Sequence, residues 1–405
     1  MTQRVKIAGP GFDYATLSAA IAALPLVPFT EPIILEVHPT APSELITIPT
    51  TILPNPANPL IILSFRALAV VSPFPDFTYH TGSLADYPAP QPRLVMAQMG
   101  FVDIQANSVK LDCIQVNGDI AVTANSDVQV NGCLVVGGQI RVARVAQTPV
   151  DVTISNCEVR KCSSQAAIRL SKVDGAKLYH NTALIREIDQ SLPAASYALS
   201  MENASGQVKN NIFAADGGIG YAVRFGGNPA TSMFTGNLYH AFGSASMFRY
   251  DNGGPTTITN IINIWQTFMT SEAGGLTDDP EFRKRTDLVD VDLDVSGTCP
   301  QIAAATAIPL ITTDIRSELR PIDFVTMGAH EHSEVITDSG KVRFLELLSG
   351  LSAYPITKAV LGKSDSPESS LFSEFPAQVT GDELIDDPLF SPVDIEGAVV
   401  PGLPG

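Results

Sequence analysis

Val208-Lys209-Asn210-Asn211-Ile212-Phe213 is a short β-type run that closes on asparagine, and the same shape returns along the middle of the chain. Before it come Val128-Gln129-Val130-Asn131-Gly132, Val152-Thr153-Ile154-Ser155-Asn156-Cys157 and Leu178-Tyr179-His180-Asn181. After it come Phe234-Thr235-Gly236-Asn237-Leu238-Tyr239 and Ile258-Thr259-Asn260-Ile261-Ile262-Asn263-Ile264. The asparagines 131, 156, 181, 211, 237 and 263 are spaced by 25, 25, 30, 26 and 26 residues. The register slips by a residue from run to run, so what repeats is a geometry. A period in the twenties marks a solenoid. Three short strands with their turns fill one coil of that length, and stacked coils bury a row of aliphatic side chains along the axis. Asparagine suits such a bend for two reasons: it tolerates the left-handed backbone region, and its amide can bond to the same amide one coil away. The plainer alternative is that turns are rich in Asn for local reasons. An antiparallel sandwich would need tight hairpins every 8–12 residues or so, and Asn117-Gly118 and Asn131-Gly132 begin no such series.

Working outward, Thr16 is placed to cap a short helix on which Leu17, Ala20, Ile21 and Leu24 form one apolar stripe. Ile33, Leu35 and Val37, then Ile46 and Ile48, then Leu60 to Leu63 read as strands between Pro-rich turns. One helix followed only by strands is expected to cap the open end of a β stack. No amphipathic helix of ordinary length is predicted between residues 90 and 270.

Bulk properties bound the function. Of 405 residues, 45% are hydrophobic and 17% charged, enough for a filled core and too apolar for wholesale disorder. Twenty-five Lys and Arg against 42 Asp and Glu give −17, a field that repels phosphate backbones, so no nucleic-acid partner is expected. No run of about 18 apolar residues predicts membrane insertion. The N-terminus lacks the apolar core of a signal peptide, which predicts synthesis in a cytoplasm. Five scattered cysteines do not make a secreted disulfide framework.

Both ends of the solenoid carry a resemblance. Gly9-Pro-Gly-Phe-Asp-Tyr-Ala-Thr-Leu17, with Ile33-Ile-Leu-Glu-Val-His-Pro39 and Glu44-Leu-Ile-Thr-Ile-Pro49, resembles the capping segment and first coil of the pectin-lyase-like superfamily of right-handed parallel β-helices, phage members included. Asp279-Pro-Glu-Phe282, Asp292-Leu293, Cys299-Pro300, Asp314-Ile-Arg316, Arg320-Pro321 and Gly328-Ala-His-Glu331 resemble the closing segment of these proteins. The tail is different. Asp338 to Gly350 reads as a capped helix with Val342, Leu345 and Leu348 along one side, followed by a short strand through Tyr354 and a polar loop. That order is similar to the attachment region of tailed-phage tail fibres and collar proteins, although here it follows the solenoid instead of preceding it. The resemblance therefore implies residues 1–332 as a mainly β, right-handed parallel β-helix with an N-terminal capping helix, and 333–405 as a small α+β attachment module with an extended tail. It implies a virion protein (tail fibre, baseplate or capsid decoration), homo-oligomeric, in contact with other virion proteins and with host surface polysaccharide. Val342, Leu345 and Leu348 are its expected assembly interface.

The same superfamily contains lyases and hydrolases of acidic polysaccharides, which use carboxylate clusters, often with Ca²⁺, beside a basic residue, or a pair of carboxylates about 5–10 Å apart. Such groups would recur at one coil spacing. Asp103, Asp112, Asp119 and Asp127 are irregularly placed; Asp174, Asp216 and Asp251 sit in turn contexts; Arg160-Lys161 and Arg224 read as isolated. No catalytic residue is assigned. Of Asp287, Asp290, Asp292 and Asp294, the last three alternate with Val289, Val291, Leu293 and Val295 as the wet face of a strand. His330 and His332 lack further ligands, and Cys157 and Cys162 form no Cys-x-x-Cys, so neither a metal nor a cofactor is expected. Cys133 and Cys157 could stack as small apolar residues in successive coils. Aromatics concentrate in the last coils, and Tyr239, Tyr250 and Trp265 are the candidates for a glycan-binding face, with core packing the alternative. The expectation is a non-enzymatic structural or adhesive protein; the alternative is a tailspike-like polysaccharide lyase or hydrolase.

Overall fold

The computed structural model describes residues 2–329 except 9–11, 65–66, 69–93, 96, 162–164, 187–194, 219, 227–230, 252–255, 270–271, 273, 285–291, 296–304, 310, 313, 316–319 and 321–324. The chain divides into two units, Met1–Ser333 and Glu334–Gly405, and every described residue belongs to the first. Val342, Leu345, Leu348, His330, His332, Asp287, Asp290, Cys162 and Cys299 lie outside the described residues.

The chain is mainly β, and it deals its strands out in rotation. A first sheet of nine strands runs from Gln3–Ile7 through Ile33–Val37, Leu60–Ser64, Val109–Asp112, Val128–Asn131, Val152–Ser155, Ala176–Tyr179 and Gly206–Lys209 to Met233–Thr235. A second sheet of seven takes Gln98–Met99, Gln115–Val116, Leu134–Val136, Glu158–Lys161, Thr182–Arg186, Ile212–Asp216 and Leu238–Phe242. A third sheet takes Leu45–Ile48, Phe101–Ile104, Ile120–Val122, Ile140–Pro149, Ala166–Asp174, Ser196–Glu202, Gly220–Gly226, Ser246–Tyr250 and Thr257–Thr259. From Val109 to Tyr250, each pass of the chain thus gives one strand to each sheet. Every pairing within these three sheets is parallel except the last, where Thr257–Thr259 turns back antiparallel on Ser246–Tyr250. Helix α1 (Leu17–Ala22) forms where expected, with Thr16 Oγ1 accepting from Ala19 N at 3.1 Å and Leu17, Ala20 and Ile21 buried.

The strands form because their alternation matches the pleat. In Val128–Asn131 the two valines are buried and the polar residues between them are not. The parallel register then aligns like with like: Leu35, Ile62, Leu111, Val130, Ile154, Leu178, Val208 and Phe234 make one column in the first sheet, each at most 1% exposed. Ile48, Ile104, Val122, Val142, Leu170, Met201, Phe225 and Tyr250 make another in the third. Each such aliphatic side chain contributes roughly 1.5–3 kcal/mol by leaving water.

Both columns change from aliphatic to aromatic at their C-terminal end. Trp265 lies on helix α2 (Ile262–Phe268), stacks on Phe248 at 4.8 Å and meets Phe234 edge-on at 5.8 Å. Tyr239 is fully buried beside both Phe248 and Trp265, and Tyr250 packs between Phe225 and Phe268. This corrects the reading of Tyr239, Tyr250 and Trp265 as a glycan-binding face: their rings fill the end of the core. Larger side chains cover the last residues of both columns. The α2 helix also corrects the reading of Asn263 as a strand corner.

The turn between the first and second sheets explains the asparagines. Its first residue is left-handed in successive passes: Cys113, Gly132, Asn156, His180, Asn210 and Gly236, with φ between 52° and 61°. The next position is buried and holds Ile114, Cys133, Cys157, Asn181, Asn211 and Asn237. The two attractions of asparagine are therefore divided between neighbouring positions. Asn156 and Asn210 supply the left-handed conformation, whereas Asn181, Asn211 and Asn237 form the amide ladder. Asn131 ends a strand, one residue before the left-handed position. The pass between Asp112 and Asn131, joined by a side-chain bond of 2.8 Å, is only 19 residues long, shorter than the period read from the sequence.

A returning segment covers the outside of this turn. Asn210 Nδ2 donates to Thr306 O at 2.6 Å, and Gly328 N donates to Asn210 O at 2.8 Å. The buried Arg320 guanidinium donates to Asn156 Oδ1 at 3.0 Å and to the carbonyls of Thr326, Gly328 and Ala329. Burial, aided by that guanidinium, pushes the His180 imidazole well below its ordinary pKa, so it is held neutral.

Candidate functional site

The outer face of the third sheet carries the densest charged arrangement among the described residues. Its strands alternate an inward aliphatic with an outward polar residue, so register alone lines up one outer column: Asp103, Ala121, Arg141, Arg169, Ser200, Arg224 and Arg249. Arg224 therefore does not stand alone, and the reading that no basic residue recurs at pass spacing is corrected. Unequal loops between passes hid the recurrence in the sequence.

Two tyrosines lie under this column. Tyr197 and Tyr221 occupy paired positions on adjacent strands and stack at 5.6 Å with an interplanar angle of 22°. Arg224 lies over the Tyr197 ring at 5.5 Å, and Arg249 over the Tyr221 ring at 5.7 Å. Each guanidinium thus covers the ring of the preceding pass, a contact worth about 0.5–1 kcal/mol when exposed and more when dry. Both tyrosines are under 10% exposed, and burial raises the Tyr197 phenol.

The carboxylates paired with these arginines are Glu202 and Asp251, aligned across Gly226, two passes apart and so roughly 10 Å at the ordinary strand spacing. Asp251 accepts from Arg224 Nε at 2.8 Å, Arg249 Nε at 3.1 Å and Thr256 Oγ1 at 2.8 Å. Burial would raise its carboxyl, but those hydrogen bonds outweigh it and hold the group below the usual carboxylate range. Glu202 pairs with Arg169 at 3.4 Å. General acid catalysis needs a carboxyl that is still protonated at working pH, and Asp251 is held in the opposite state. Four guanidiniums stand against the carboxylates of Asp103, Glu202 and Asp251, so the strip is net positive on a strongly negative protein. Arg141 is exposed and Arg169 is 42% exposed, which gives the strip its open cationic end. Guanidiniums aligned in one column, at intervals of one or two passes, are suited to binding carboxylate or phosphate groups.

The other sequence candidates fall elsewhere. Asp112 and Asp127 belong to the first-sheet side, and Asp119 accepts from Gln139 Nε2 at 3.0 Å. Asp174 accepts from Ser205 Oγ at 2.8 Å, and Asp216 pairs with Arg186 at 3.7 Å. Arg160 and Lys161 are buried, Arg160 against Glu158. Cys133 and Cys157 occupy the same buried turn position in successive passes, and burial beside Cys133 raises the Cys157 thiol. Among the described residues no group of three or more metal-ligating side chains comes together. No protein-family model matches the chain, and no curated protein matches its sequence.

Proposed function

We propose that residues 1–332 wind as a right-handed parallel β-helix, with α1 capping its first pass, and that this rigid rod is a non-enzymatic structural or adhesive part of a tailed-phage virion. The observation that carries the reading is the rotation of strands through three parallel sheets with unbroken inner columns. Right-handedness follows the general preference of parallel crossover connections. The virion assignment rests on the sequence resemblance of both ends and of the tail. In this reading Val342, Leu345 and Leu348 dock the tail onto other virion proteins or a second copy.

The adhesive surface is the arginine strip, and its partner is an anionic host surface polysaccharide. Ion pairing of Asp251 and Glu202 supports binding over cleavage. Their alignment across Gly226 favours the second reading, a tailspike-like hydrolase. Binding of the full chain to a uronate-rich polysaccharide, with a neutral dextran as control, tests both. Binding should weaken with salt and fall by roughly tenfold or more in the R141A/R169A double variant. Equal retention on dextran would overturn the adhesive reading. New reducing ends that vanish in Asp251→Asn would establish the hydrolase.

A further inference from the structure

The asparagine ladder ends on a group that is not an asparagine. Within it, each oxygen accepts from the residue one pass earlier: Asn181 Oδ1 from Cys157 N at 3.0 Å, Asn211 Oδ1 from Asn181 N and Nδ2 at 2.9 Å each, and Asn237 Oδ1 from Asn211 N and Nδ2 at 3.0 and 2.9 Å. Each amide nitrogen also donates to a backbone carbonyl of the preceding pass: Ile154, Leu178 and Val208. The next rung begins at Leu276, which bridges Leu238 in parallel, with Leu276 N bonded to Asn237 O and Tyr239 N to Leu276 O. The ladder position there falls on Gly275, which has no side chain.

Glu272 fills the vacant place. A Cβ added at Gly275 would lie 2.9 Å from Glu272 Oε1 and 3.3 Å from its carboxyl carbon. Like the missing asparagine, the Glu272 carboxyl accepts from Asn237 N at 3.4 Å and Asn237 Nδ2 at 3.3 Å, and it takes the Tyr239 hydroxyl as well. The residue is only 4% exposed. These three donors are neutral, and residues 261–280 contain no Lys, Arg or His. The nearest histidine on the adjoining strand, His240, turns Nδ1 toward Thr277 O at 3.3 Å, and Asp278 and Asp279 lie further along the chain. A carboxylate so buried, with no counter-charge beside it among the described residues, is costly; the neutral acid is not.

We propose that Glu272 makes the C-terminal end of the stack a proton-controlled seal, closed while its carboxyl is protonated and loosened at the 274–276 rung when it ionises. Trp265 is the only tryptophan and packs on the same Tyr239 ring, at 6.2 Å, so it reports on the seal directly. The experiment is Trp265 emission and acrylamide quenching of the full chain from pH 5 to 9. Burial lifts the Glu272 carboxyl from 4.5 to about 7, so a single transition near neutrality is expected, with quenching greater on the alkaline side. Glu272→Gln keeps the shape and acceptor oxygen but cannot ionise, and should abolish the transition. Tyr239→Phe removes a donor that favours the carboxylate and should move the midpoint upward, by roughly one pH unit. This variant, with the wild type, keeps the test decisive if the glutamine variant fails to fold. A flat wild-type profile, a transition that survives in Glu272→Gln, as a histidine would produce, or a midpoint unmoved in Tyr239→Phe overturns the proposal.

Discussion

The early and late passes of this stack solve one problem with opposite chemistry. At the buried position after the left-handed turn residue, the early passes hold Ile114, Cys133 and Cys157, and the late ones Asn181, Asn211 and Asn237. The early column asks only for volume. Its thiols bond weakly to carbonyls of their own or the previous strand, as Cys157 Sγ does with Ser155 O and Val130 O. The late column demands that each amide find all its partners, because a buried polar group left unpaired costs about 1–3 kcal/mol. The late column therefore fixes register and must be terminated by a group that accepts from both Asn237 N and Asn237 Nδ2, as the Glu272 carboxyl does. An apolar column can simply stop.

That contrast is easiest to break in the middle of the amide ladder. Asn211→Ala removes the acceptor of Asn181 N and Nδ2 and the donor to Leu178 O and Asn237 Oδ1. We expect it to cost about 4 kcal/mol, as several buried groups lose partners together, read as a lowered denaturant midpoint. An equal cost for Cys133→Ala would show that the two columns do not differ.

The ladder's end gives the next largest effect. The Glu272 carboxyl is raised in the folded chain, so its contribution is fully present below pH 4.5 and lost as pH rises to about 7. The loss amounts to about 3 kcal/mol by alkaline pH. The buried His180 acts in the other sense: its depressed pKa contributes stability above its unfolded value near 6.5 that is lost as pH falls. The net profile mixes the two, but the difference between wild type and Glu272→Gln isolates the first. That difference should grow in favour of the variant between pH 5 and pH 8; a constant difference counts against it.

The junction sharpens the comparison with a smaller effect. Cys157 N already donates to Asn181 Oδ1, so Cys157→Asn extends the ladder by one amide with an acceptor waiting. Cys133→Asn places the same amide next to a thiol. We expect the second substitution to be worse than the first by about 1–2 kcal/mol, measured as the difference in thermal midpoints.

The sequence alone pointed to the repeat: residues that alternate apolar and polar over four or five positions, break on Asn or Gly and return every 25 to 30 residues suit a stack of passes, although the 19-residue pass escaped that period. It also determined α1, through Thr16 and an apolar stripe at helical spacing. What it could not assign was which asparagine does what. Asn131, Asn156 and Asn181 differ by one register step each, and only the parallel pairing decides whether a residue ends a strand, takes the left-handed turn or joins the ladder. The arginine strip was hidden for the same reason. Arg169 and Arg224 share a column, but their separation in sequence depends on loops whose lengths vary. The roles of Tyr239, Tyr250 and Trp265 were likewise decided by tertiary structure. An aromatic near the end of a stack is equally suited to solvent and to core, and only the burial and mutual packing of these rings settle that they close the interior. Local pattern is written along the chain; which neighbour a side chain meets depends on the pass above and below it.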